Sequence, residues 1–120
     1  MKYFETIVKE IGELASDFEL ENMMILFGDN APEGLKEFCY NIKLSPVRKP
    51  MDIGDIISFD NARYKITSVG SKANDTFEEL GHMTVKFDGK DTPDLPGTVH
   101  VEEKDYPKLV IGSIITLEKE

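Results

Sequence analysis

The sequence predicts an all-β fold, a barrel or a sandwich, and three observations carry that prediction. Seven or eight short strand-like runs follow one another, bounded by Gly, Pro, Asn and Asp. The runs are too closely spaced for βαβ crossovers, which argues against a doubly wound sheet. A single helical pattern of any length interrupts them, Ser71 to Leu80.

Lys2 to Ile11 is rich in aromatic and β-branched residues and reads as the first strand, ending at Gly12. Glu13 to Asn22 is polar, with Leu14, Phe18 and Leu20, and suits one helical turn. Met23 to Phe27 reads as a short buried strand, and Gly28 to Pro32 as a turn. Gly34 to Glu37 is expected to coil once. Phe38 to Leu44 follows as a strand with Phe38, Tyr40 and Ile42 on one face. Ser45 to Pro50 holds two prolines and is a loop. Ile53 to Phe59 and Arg63 to Val69 read as a hairpin across Asp60-Asn61. In the helical pattern Ala73, Phe77 and Leu80 recur at i, i+4 and i+7, with Ser71 as the expected N-cap and Gly81 as the stop. From His82 to Asp88, Met83, Val85 and Phe87 alternate with polar residues, the mark of a strand with one wet face. A Pro-containing loop, 89–97, leads to a strand Thr98 to Glu102. A turn over Asp105 to Lys108 precedes the last strand, Ser113 to Leu117. The expected core contains Ile25, Phe38, Ile57, Tyr64, Ile66, Met83, Val85, Phe87, Val99 and Ile115.

A chain of 120 residues is read as one domain, 1–120, with one core. Its composition is that of a soluble globular protein. The longest uncharged apolar run, Met23 to Phe27, is far short of a membrane span, and no targeting segment is read at the N-terminus. One cysteine cannot form an internal disulfide, which fits a reducing cytoplasm and excludes a cysteine-based zinc site. Lys and Arg number 14 against 23 Asp and Glu, a net charge of −9. A nucleic acid would be repelled, and no basic stripe reverses this; Arg48 and Lys49 form the one cationic cluster.

Phosphate-binding glycine loops, a Ser-His-Asp order and a metal triad are all absent, so no cofactor or metal is expected. The nucleophiles that remain are His82, His100 and Cys39. A neutral imidazole is a good nucleophile near pH 7. His82 opens the wet face of its strand at a helix-to-strand corner, with Thr84 and Lys86 further along. The negative end of the helix dipole counts against a phosphoryl group there. The competing reading is a strand-edge histidine bonded to a nearby carbonyl at the helix end. His100 reads as a half-buried strand residue with Glu102 on its face. Cys39, between Phe38 and Tyr40, reads as a small buried residue. Glu78-Glu79 and Glu102-Glu103 diverge as neighbours and read as solvated faces.

E-E-L-G-H-M-T-V-K-F-D-G followed by L-P-G-T-V-H-V resembles the glucitol/sorbitol-specific enzyme IIA component of the bacterial phosphotransferase system (PTS). T-I-V-K-E-I-G, M-M-I-L-F-G-D-N-A-P, L-K-E-F-C-Y and S-V-G-S-K-A-N-D are similar to that family in order and spacing, so the likeness spans nearly the whole chain. The resemblance implies a small, mainly antiparallel β-barrel, here with one short helix. It implies a cytoplasmic phosphocarrier that takes a phosphoryl group from HPr and passes it to a membrane-bound IIB/IIC permease, without itself entering the membrane. Some members carry their phosphohistidine just after the Phe-Cys-aromatic run. Here that segment reads Asn41, Ile42, Lys43, Leu44, with no histidine. Either another histidine reacts, with His82 preferred to His100, or the chain is a non-catalytic regulatory or scaffolding relative.

Overall fold

The computed structural model describes residues 1–120. Eight strands close a barrel: β1 (Lys2–Ile11), β2 (Met23–Gly28), β3 (Tyr40–Ile42), β4 (Ile56–Phe59), β5 (Ala62–Val69), β6 (Met83–Lys86), β7 (Thr98–Val101) and β8 (Ile114–Glu118). Their order around the barrel is β1-β3-β2-β6-β7-β5-β4-β8, and β8 pairs back to β1. Closure leaves no free sheet edge. The helical pieces are three: a 3₁₀ helix at Ala15–Glu21, α1 at Glu33–Lys36 and α2 at Ala73–Leu80. None is long and apolar enough to cross a membrane.

Six of the eight strand pairings are antiparallel. The other two, β2 with β3 and β6 with β7, are parallel. The chain makes the parallel pairs with connections over residues 29–39 and 87–97, the first containing α1. A loop of about ten residues returns the chain to the same end of the barrel, so no long crossover helix is needed.

The alternation along each strand sorts side chains between core and outside. Met24 and Leu26 of β2, Tyr40 and Ile42 of β3, Met83 and Val85 of β6 and Val99 of β7 enter one core, with Ile57, Phe59, Tyr64, Ile66, Phe87, Ile115 and Leu117. Eight of the ten core residues expected from sequence are buried there. Ile25 and Phe38 are not. Ile25 lies on the outward side of β2, and Phe38 precedes β3, which starts only at Tyr40. Both are half-buried outside the barrel, where they line one cleft.

Two element boundaries and one buried position also differ. The 52–54 segment is a turn with Ile53 exposed, and β4 begins at Ile56, because Asp55 turns inward to bind the Tyr3 hydroxyl at 2.8 Å and Lys119 at 3.0 Å. Ser71 does not cap α2; Lys72 holds the N-cap position without a side-chain hydrogen bond. Leu80, the third residue of the expected apolar stripe, is exposed because the helix packs only through Ala73 and Phe77. Phe77 meets Phe4 edge-on at 4.9 Å.

Within this core Val85→Ala is expected to cost about 1–3 kcal/mol through lost burial and a cavity. Lys86→Ala removes only a partly exposed ion pair to Asp94 and is expected to cost no more than about 1 kcal/mol. Urea midpoints for the two variants check the contrast. Equal losses would mean that the inward-outward assignment of β6 is wrong.

Candidate functional site at the helix-to-strand corner

Gly81 ends α2 in the left-handed conformation, φ +66. Its amide donates to the Phe77 carbonyl at 2.9 Å and the next amide, of His82, donates to Thr76 at 3.3 Å. These bonds occupy carbonyls at the negative end of the helix, so the dipole meets its own chain first. A side chain at Gly81 would also crowd Gly28 of β2, whose amide nitrogen lies 3.0 Å from the ideal Cβ position. The glycine therefore lets α2 stop against β2 and release the chain directly into β6.

His82 is the residue released there, one position before β6. The antiparallel register pairs Leu26 with Met83, and one further step sets His82 beside Phe27. Its ring stacks on the Phe27 ring at 4.4 Å and 28°. Nδ1 lies 3.0 Å from the Leu26 carbonyl oxygen. A carbonyl only accepts, so Nδ1 carries the hydrogen and Nε2 carries the lone pair. Stacking and hydrogen bond together fix one tautomer and one ring orientation on a half-buried side chain. The structural reading of His82 expected a bond to a carbonyl at the helix end; the carbonyl bound is instead that of Leu26 in β2, and such a bond is also what a positioned nucleophile requires.

Beside this ring lies a cleft of about 330 Å³. Phe18 of the 3₁₀ helix, Leu35 of α1, Phe38, and Ile25 and Phe27 of β2 form its walls with His82. Phe18 and Phe38 face each other at 6.4 Å. Cys39 also reaches the cleft, but it is a structural thiol. It is buried and donates to the Leu35 carbonyl at 3.1 Å, and burial pushes its pKa up to about 11. A thiol held protonated in this way is no nucleophile at neutral pH.

His100 is buried completely, not half-buried as the sequence reading had it. All four residues of β7 are buried, because loop 89–97 folds over the outer face of the strand. His100 Nδ1–H donates to Asp88 Oδ1 at 2.8 Å, and Nε2 accepts the Asp94 amide at 3.4 Å. Asp94 Oδ1 is 3.3 Å from the same nitrogen. Partial burial pushes the Asp88 carboxyl up, but the His100 hydrogen bond, the Lys90 amide and the nearby positive charge outweigh it and hold the pKa below the ordinary value. The ring thus ties the 89–97 loop to the barrel with both nitrogens engaged.

The carboxylate expected beside His100 was Glu102. It lies elsewhere, accepting the Lys65 amide at 2.7 Å and pairing with Lys104 at 3.2 Å. Lys86, expected near a phosphate on His82, is also committed elsewhere. It pairs with Asp94 at 2.6 Å, and four residues of strand separate it from His82 by about 13 Å. Thr84 stays on the same face, one pleat from His82. No three His, Cys, Asp or Glu side chains are grouped to hold a metal ion.

Sequence reasoning did not find Phe27, the Leu26 carbonyl, or the cleft formed by Phe18, Leu35 and Phe38. Each depends on β2 and β6 being neighbours, which no local spacing announces.

Residues 3–116 match the family model described as the PTS system glucitol/sorbitol-specific IIA component. The glucitol/sorbitol-specific EIIA components of Shigella flexneri and Escherichia coli K12 are each 35% identical over 115 residues, covering 96% of this chain and 94% of theirs. Among solved structures, the PTS system IIA component from Enterococcus faecalis V583 is similar with a TM-score of 0.84 at 30% identity. That match covers 93% of this chain and 97% of the other.

Proposed function

The chain belongs to the glucitol/sorbitol-specific IIA family of the phosphotransferase system, and from that premise we propose that it is a cytoplasmic phosphocarrier whose acceptor is His82 Nε2. HPr is the donor, and the IIB domain of a glucitol/sorbitol permease takes the group onward. The observation that carries the choice of residue is the fixed tautomer: Nδ1–H is held by the Leu26 carbonyl, which leaves the Nε2 lone pair for attack.

The transfer conserves every atom of the phosphoryl group. The Nε2 lone pair forms a bond to phosphorus as the bond from phosphorus to the donor's histidine nitrogen breaks. The electron pair of that bond returns to the donor ring. His82 becomes a phosphorylated imidazolium, and its Nδ1–H remains donated to the Leu26 oxygen, where the carbonyl dipole stabilises the new positive charge. Transfer to IIB runs the same steps in reverse on a second partner. Both partners must reach the nitrogen, which half-buried His82 permits and wholly buried His100 does not.

The absence of a histidine in Asn41 to Leu44 is compatible with this assignment. Asn41 is the register partner of Phe27 in β3, and Phe27 neighbours His82. The strand segment in which the resemblance sets a histidine is therefore two strands from His82, about 10 Å away on the same outer wall.

Incubation with labelled phosphoenolpyruvate, enzyme I and HPr is expected to give an acid-labile, base-stable phosphoprotein. No label under conditions that load a control IIA would replace this reading with the non-catalytic one. The net charge of −9 adds an expectation about rate. Association with a basic donor surface should slow as salt is raised through the physiological range. A rate independent of salt would remove electrostatic steering from the mechanism.

A further inference from the structure

We infer that Thr76 is a positioning residue for phosphoryl transfer at His82: its hydroxyl and its carbonyl together hold the backbone that carries the imidazole. This role rests on the carrier reading of His82. The histidine stands one position before β6, so its own peptide groups lie outside the β2–β6 ladder. Both of them go to Thr76 instead. The His82 amide donates to the Thr76 carbonyl at 3.3 Å, and the Thr76 hydroxyl donates to the His82 carbonyl at 2.8 Å.

A threonine inside a helix ordinarily bonds back to a carbonyl three or four residues earlier. For Thr76 those carbonyls belong to Ala73 and Lys72, each 3.3 Å from the hydroxyl oxygen. A hydroxyl has one hydrogen to give, and the shortest contact is the one forward to His82. The helix that presents Thr76 is itself fixed to the barrel, since Ala73 and Phe77 are buried and Phe77 packs against Phe4.

His82 is therefore held at two ends by two elements. β2 holds the ring, through the Leu26 carbonyl and the Phe27 stack. α2 holds the backbone, through Thr76. A ring held only at Nδ1 can pivot about that bond as its backbone moves, and Nε2 then sweeps through a range of directions. With the backbone also held, the Nε2 lone pair keeps one direction. In-line attack on phosphorus depends on that direction, and a misplacement of about 1 Å can cost about a hundredfold in rate. Asn74, on the same helix, bonds both backbone groups of Met51, at 2.7 and 3.2 Å. Its removal takes bonds from α2 without touching the grip on His82.

The test compares full-length variants as acceptors of labelled phosphoryl from purified phosphorylated HPr, with rates expressed per folded molecule. Thr76→Val keeps the branched shape and removes the hydroxyl. It is expected to lower the rate at saturating donor about tenfold, with the half-saturating HPr concentration within about twofold of the parent. Thr76→Ser is expected to return the rate to within about threefold of the parent, because it keeps the donor. Asn74→Ala is expected to melt earlier and to transfer within about twofold of the parent. The ring nitrogen shifts of His82 read the cause without chemistry. The parent should carry its hydrogen on Nδ1, and Thr76→Val should divide it between the two nitrogens. Should Thr76→Val not fold, Thr76→Ala takes its place with the same expectations. The role is overturned if the variant without the hydroxyl transfers like the parent, if its nitrogen shifts are unchanged, if serine fails to restore the rate, or if Asn74→Ala loses as much. A loss confined to the half-saturating concentration overturns it as well, since Thr76 would then act in docking. A parent that takes no label removes the carrier reading itself, whereas a labelled parent matched by Thr76→Val removes only the role of Thr76.

Discussion

His82→Gln is expected to reduce phosphoryl uptake from phosphorylated HPr to background, about a thousandfold or more, while the barrel remains folded. Removing a nucleophile costs on this scale because no other group takes its place. Glutamine keeps an amide that can still donate to the Leu26 carbonyl, so the β2–β6 contact survives and the loss reports chemistry. The paired variant, His100→Gln, is expected to load to the same stoichiometry per folded molecule. It should melt earlier, because the bonds to Asp88 and to the Asp94 amide are lost from a buried position. Uptake that survives His82→Gln and disappears in His100→Gln would make the assignment wrong.

Phe87→Ala is expected to be the most damaging single truncation of the core, at about 3–5 kcal/mol. Phe87 is fully buried, and its ring meets Tyr64 at 4.9 Å, Tyr106 at 5.3 Å and Phe59 at 5.9 Å. These rings come from β4, β5 and the segment before β8, so the side chain joins parts of the barrel that are distant in sequence. Its amide also donates to the Asn22 carbonyl at 2.8 Å, where β2 begins. The truncation leaves a cavity that three rigid aromatic neighbours cannot fill. Against a typical domain stability of about 5–15 kcal/mol, such a loss brings a chain of this size near its threshold. A thermal melt should show a midpoint lower by at least about 10 °C. A drop of only a degree or two would mean that the aromatic cluster is not the core's centre.

The two predictions draw on different kinds of information. Phe87 was legible as core in the alternation read from His82 to Asp88, because a period of two is local and one side of a barrel wall is always buried. The β4–β5 hairpin was legible for a similar reason: Phe59 and Ala62 pair across Asp60-Asn61, and Asp60 has φ +56, a conformation that Asp and Asn tolerate. Phe38 misled because its residue type and spacing matched Tyr40 and Ile42. Only the neighbouring 3₁₀ helix, with Phe18, gives it an apolar place outside the barrel. His100 misled in the opposite direction. Its flanking valines announced a strand, but the segment that covers its second face bonds to it through Asp88 and Asp94, twelve and six residues away.

The sequence by itself determined the all-β class, the order of the strands along the chain, most of the core and, through motifs spanning nearly its whole length, the family. These are properties of local period, turn residues and residue order, and they need no knowledge of which strands meet. Tertiary structure alone decided that β2 lies beside β6, that His82 leans on Phe27 with its Nδ1 hydrogen given to Leu26, and that His100 is sealed from solvent. The physical reason is that the His82 tautomer is set by an atom of a strand more than fifty residues away, and the burial of His100 by a loop folded back on its own strand, contacts that only the closed barrel brings about.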